Sequence, residues 1–116
     1  MNLTDNFDKL GQAGNEGKEL YNTRSNARVL SFILLDGVHY SVNYSYMIDG
    51  RYNPEDNMIV LQFTTSTVSL KGQNLLGMFE QIMAQMRKTV VCIESRYSAT
   101  LEESAIAVFE IEVIQG

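Results

Sequence analysis

Apolar and polar residues alternate along most of this chain with the period of two that marks β-strands, and one stretch switches to the period of a helix. Val29-Leu30-Ser31-Phe32-Ile33-Leu34-Leu35 is apolar at successive positions, which predicts a strand buried on both faces. Asp36-Gly37 readily adopts the positive dihedrals of a tight hairpin turn. The returning segment then alternates, with Val38, Tyr40, Val42, Tyr44 and Tyr46 on one face and His39, Ser41, Asn43 and Ser45 on the other. Turn formers at Asp49-Gly50 and at Asn53-Pro54-Glu55-Asp56-Asn57 predict a loop that holds the single proline. Met58 to Phe63 and Thr67 to Leu70 read as a second strand pair, joined through Thr64-Thr65-Ser66. Leu75, Phe79, Ile82 and Met86 recur at i, i+4, i+7 and i+11, which predicts an amphipathic helix over Asn74 to Arg87. A strand over Thr89 to Ile93, a loop over Ser95 to Ser104 and a terminal strand from Ala105 to Val113 follow, the last with Glu110 and Glu112 on its wet face.

Before Arg28 the texture differs. Leu3, Phe7 and Leu10 predict a short helix, and Gly11, Gly14 and Gly17 interrupt it, so residues 1–27 read as an N-terminal helix and a flexible glycine-rich connector. Residues 28–114 read as a β core with one helix, and 1–116 as a single domain. The expected fold class is mainly β (α+β): a strongly bent antiparallel sheet or partial barrel, with Tyr40, Val42, Tyr44, Val60 and Val68 in or near its core.

Composition narrows the function classes. A chain of 116 residues with 45% hydrophobic and 20% charged positions is an ordinary globular domain. At this length roughly two-thirds of the unfolded surface is buried on folding, so a core forms without staples. The lone Cys92 has no partner for an internal disulfide, and Met1 to Asp5 lacks the basic and apolar regions of a secretion signal. A cytoplasmic protein is expected. No apolar run approaches the roughly 20 residues that cross a bilayer, so no membrane association is expected. Fourteen acids against nine bases give a net charge of -5, which disfavours broad attachment to nucleic acid. The adjacent bases Arg87-Lys88 are assigned to the last turn of the helix, facing its negative end.

The densest cluster of candidate chemistry is Val68-Ser69-Leu70-Lys71-Gly72-Gln73-Asn74-Leu75, where a strand ends in a base, a glycine and an amide before a helical pattern starts. Gly72 allows a sharp turn or a close approach to a ligand, Lys71 supplies a positive charge, and Asn74 can cap the helix or recognise a polar group. A plainer reading stands beside this one. Asp49 and Asn53 can satisfy turn backbone groups, and Gly72 with Asn74 can simply lead into the helix. His39 falls on a polar strand face, and Cys92 between Val91 and Ile93 reads as a small buried thiol. With one His and one Cys, the usual zinc sites cannot be assembled within one chain. The acid pairs Glu55-Asp56 and Glu102-Glu103 sit in loops, and no phosphate-loop pattern occurs. No catalytic residue and no cofactor are assigned.

The order of hairpin, polar loop, hairpin and basic-glycine loop resembles that of the Sm and Sm-like family. Leu35-Asp36-Gly37, Tyr40, Val42, Ile48-Asp49, Tyr52 and Asn53 are similar to its first motif, and Leu70-Lys71-Gly72-Gln73-Asn74-Leu75 to its second. The resemblance covers about residues 29–74. It implies a bent five-stranded partial barrel that pairs strand edges into homo-oligomeric rings and binds single-stranded RNA on its motif loops. On this chain it places Asn53, Lys71 and Gly72 around a nucleotide, with Tyr52 as a stacking surface. Lysine stands where the family carries arginine, and a helix and a terminal strand follow where the family has one short strand. Three function classes follow: an Sm-like RNA binder, a structural or protein-interaction module without nucleic acid, and an enzyme whose site spans subunits.

Overall fold

The computed structural model describes residues 26–116, so the expected N-terminal helix and most of the connector lie outside the described residues. Within that range seven strands and one α-helix occur in the order β1 (Val29–Ile33), β2 (His39–Asn43), β3 (Met47–Asn53), β4 (Met58–Phe63), β5 (Ser66–Gln73), α1 (Leu76–Met83), β6 (Thr89–Val91) and β7 (Ala107–Gln115). Two short 3₁₀ turns, Tyr44–Tyr46 and Ser95–Thr100, complete the set. The mainly β expectation holds.

The strands divide into two sheets, ordered β2-β1-β6 and β3-β4-β5-β7. Asp36-Gly37 turns β1 into β2 as expected. Gly37 takes φ +90°, and the Asp36 carboxylate accepts from the Val38 N–H at 3.0 Å. The second sheet is antiparallel throughout. The first is not, because β6 runs parallel to β1, with Phe32 opposite Val90. Chain direction explains this. After α1 the backbone returns beside the start of β1, where Ala27 N–H donates to Gln85 C=O and Ser31 N–H to Lys88 C=O, so the next strand can only run alongside β1 in the same sense. The sheets touch at one corner through the parallel bridge Cys92 to Val108, with Ile93 N–H donating to Val108 C=O at 2.9 Å. Among the described residues no closed barrel results.

One apolar cluster fills the space between the sheets. Leu30 and Phe32 of β1, Ile59, Leu61 and Phe63 of β4, Val68 and Leu70 of β5, Met78 and Ile82 of α1, and Val90 and Val108 are all buried. Val42, Tyr44 and Val68 join this core as expected, and Tyr40 packs against its margin. Val60 does not. It is half-buried on the outer face of β4, because Ile59, Leu61 and Phe63 point inward and side chains alternate. Likewise β1 buries only Leu30 and Phe32 fully, and Val29 is exposed, so one face of this strand is covered rather than two.

Three local expectations also change. Asp49-Gly50 lies inside β3 rather than in a break, with a bulge between Met47 and Asp49. At Gly50 a Cβ would come within 2.6 Å of Met83 Cε, the flexible end of that side chain, so α1 packs closely on the strand here through a methionine tip. The helix spans eight residues rather than Asn74 to Arg87. It stops where Gln85 adopts φ +58°, with Met86 N–H donating to Gln81 C=O and Gln85 N–H to Ile82 C=O, the Schellman pattern of a terminated helix. Arg87 and Lys88 therefore follow the helix instead of facing its last turn. The Arg87 guanidinium donates to Thr89 C=O at 3.0 Å and to Gln81 Oε1 at 2.8 Å. No helix among the described residues is long and apolar enough to cross a membrane.

Candidate functional site

The two motif loops do reach the same end of one sheet. Asn53 ends β3 opposite Met58 of β4, Met58 lies opposite Lys71 of β5, and Gly72 N–H donates to Asn57 C=O at 3.3 Å. With β4 between them, Asn53 and Lys71 are two strand spacings apart, about 10 Å. Directly opposed residues share a face, so Asn53, Met58, Lys71 and Glu110 form one row on the outer side of the sheet. Tyr52 points the other way. It pairs with Ile59 on the core side, and its ring meets Phe79 of α1 at 6.0 Å between centroids.

Each of these side chains has a local occupation. Asn53 Oδ1 accepts from the Glu55 and Asp56 N–H groups and its Nδ2 donates to Asp56 Oδ2, so the amide builds its own turn. Gly72 is a point of close backbone approach: a Cβ would lie 1.9 Å from the Ala107 carbonyl oxygen, at a bulge in the β5–β7 ladder. Lys71 is exposed opposite Glu110, and an open cavity of about 380 Å³ beside it is lined by Asp56, Met58, Ser69, Glu110 and Glu112. Three carboxylates against one ammonium repel a phosphate.

The amides that follow Gly72 serve the terminal loop. Asn74, at φ +58°, donates from Nδ2 to Glu103 C=O at 2.6 Å and Ala105 C=O at 2.8 Å. Gln73 Nε2 adds a bond to Ala105 C=O at 2.8 Å. The helix-capping role expected of Asn74 is absent, since residue 75 starts the helix without a side-chain cap. Sequence reasoning missed this partner because it lies about thirty residues downstream, beyond the reach of local patterning.

His39 is exposed at the start of β2, opposite Ile33. Cys92 is buried at the corner between the sheets, and its thiol is pushed up from its ordinary pKa chiefly by burial, against a hydrogen bond from the Ile111 backbone and with the Glu110 charge adding to the rise. That direction opposes thiolate chemistry. Among the described residues no group of three His, Cys, Asp or Glu side chains is gathered closely enough to hold a metal ion.

The open sheet edges are the remaining feature with binding potential. Among the described residues β3 is laddered to β4 alone and β7 to β5 alone, apart from the Cys92 bridge. Such edges present unpaired backbone N–H and C=O groups. On β3 the bulge residue Ile48 is 62% exposed and Tyr46 just before it 53%, so the edge carries apolar surface together with the exposed charges Asp49 and Arg51. β7 instead carries Glu110 and Glu112. In comparisons with known proteins, no family model, no curated protein and no solved structure matches this chain.

Proposed function

We propose that this protein is a non-enzymatic interaction module that associates with further copies of itself through open strand edges, without a nucleic-acid ligand. The observation that carries this reading is the β3 edge, laddered on one side among the described residues and bearing the exposed Ile48. Exposed apolar side chains on an unpaired strand are the surface that edge pairing buries. The Sm-like resemblance supports the same reading through the habit of that family to join strand edges.

Single-stranded RNA at Tyr52, Asn53, Lys71 and Gly72 has less support. Tyr52 sits on the other face of the sheet, Asn53 and Gly72 are engaged in turn and ladder, and Lys71 stands among carboxylates. Light scattering across a concentration series, with and without oligouridine at low and moderate salt, tests both. The expected result is a mass above that of one chain that rises with concentration and ignores the RNA. A single-chain mass at every concentration overturns the module. A salt-dependent RNA affinity that Lys71→Ala reduces transfers the function to RNA binding.

A further inference from the structure

We propose that two copies pair their β3 edges antiparallel about a two-fold axis at Gly50, joining two four-stranded sheets into one of eight strands. This rests on the edge-assembly reading above and specifies its partner surface and register. A two-fold axis normal to the sheet keeps the outer face outward, so residues facing each other must share parity along the strand. Only three such registers centre on the middle of β3. Centring on Asp49 sets Asp49 against Asp49, and centring on Arg51 sets Arg51 against Arg51. Centring on Gly50 sets Asp49 of each copy opposite Arg51 of the other, twice per dimer, and brings the bulge residue Ile48 beside Tyr52. Opposite charges directly across a ladder stabilise it and like charges weaken it, so charge selects the Gly50 register.

The apolar neighbours agree with this choice. Ile48 is the most exposed large apolar residue of the strand, Tyr52 is half-buried, and Met83, 40% exposed, borders Gly50. Pairing in this register covers all three near the axis. The other long edge is built against the same event. Same-face self-pairing of β7 centred at Glu110, Ile111 or Glu112 places Glu110 or Glu112 against a glutamate in every case. β2, with His39, Ser41 and Asn43 facing outward, is shorter and carries no charge pair that would set a register.

Charge swapping on the full chain, read by sedimentation equilibrium, tests the register. Asp49→Arg and Arg51→Asp each replace two attractive pairs by two repulsive ones, and each is expected to raise the dimer dissociation constant about ten-fold or more. The double variant Asp49→Arg/Arg51→Asp restores the opposition of unlike charges and is expected to dimerise within about three-fold of the parent. Both positions are exposed, so unchanged far-UV circular dichroism confirms that the variants fold, whereas the melting temperature of each single variant falls with its weaker association. A dimer indifferent to the single reversals, or single and double variants equally weakened, overturns the Gly50 register while leaving edge assembly intact. A parent that is monomeric at all concentrations removes both, and a parent assembling beyond the dimer overturns the two-fold closure.

Discussion

At residue 72 the backbone of β5 passes so close to β7 that a methyl group has no room: the Ala107 carbonyl oxygen would be 1.9 Å from its carbon. The obstacle is the backbone of Ala107 and Val108 rather than a side chain, so relief requires the ladder to part. Gly72→Ala is therefore expected to destabilise the fold by about 2 kcal/mol or more, seen as a lower urea midpoint. The sequence marked Gly72 as a place where something comes close. What comes close is the terminal strand, and that residue lies thirty-five positions away, so only the folded chain names it. Lys71 and Asn53 carry the same lesson. Their proximity at one end of the sheet was legible from two consecutive hairpins, whereas the carboxylates of Glu110 and Glu112 beside Lys71 arrive from β7 and change what the position can attract.

At the scale of the element, α1 shows how a periodic pattern overruns its helix. Met86 continues the apolar spacing of Leu75, Phe79 and Ile82, yet the helix closes at Met83 because Gln85 takes the left-handed conformation of the terminating motif. Glutamine at that position bears a Cβ penalty that glycine lacks. Gln85→Gly is expected to raise stability by about 0.5–1 kcal/mol, measured as a higher midpoint with unchanged denaturant slope. In β4 the ambiguity is different. Met58-Ile59-Val60-Leu61 is apolar at each position, so alternation alone does not say which set faces inward. The register with β3 and β5 decides it in favour of Ile59 and Leu61. By contrast the clean alternation of Phe109-Glu110-Ile111-Glu112-Val113 placed both glutamates on the exposed face, as found.

Across the whole molecule, two tyrosine hydroxyls tie separate parts of the chain together. Tyr40 donates to Ser66 Oγ at 2.7 Å, linking β2 to β5 across the core, and Tyr44 donates to Arg87 C=O at 2.5 Å, linking the β2–β3 corner to the approach to β6. Burial pushes the Tyr44 hydroxyl up from about 10 to about 12, outweighing the lowering by the Arg87 backbone bond and charge. A folded pKa above the unfolded value means that this contribution is complete below pH 10 and is lost as the pH climbs from 10 to 12. Tyr44→Phe is expected to cost about 1 kcal/mol near neutrality. Its stability is also expected to fall less steeply than the parent's between pH 10 and 12, as followed by chemical denaturation at stepped pH.

The pattern of this sequence by itself determined the β-rich content, the Asp36-Gly37 hairpin, one helix centred on Phe79 and Ile82, and the exposed acids of the last strand. Each of these follows from the side-chain period or a turn preference acting within a few residues. Tertiary structure alone decided the split into two sheets, the parallel pairing of β1 with β6, the partners of Gly72, Asn74 and Tyr44, and which strand edges stay open among the described residues. Those features join positions far apart in sequence, where the energy of a contact depends on what the rest of the chain has brought alongside.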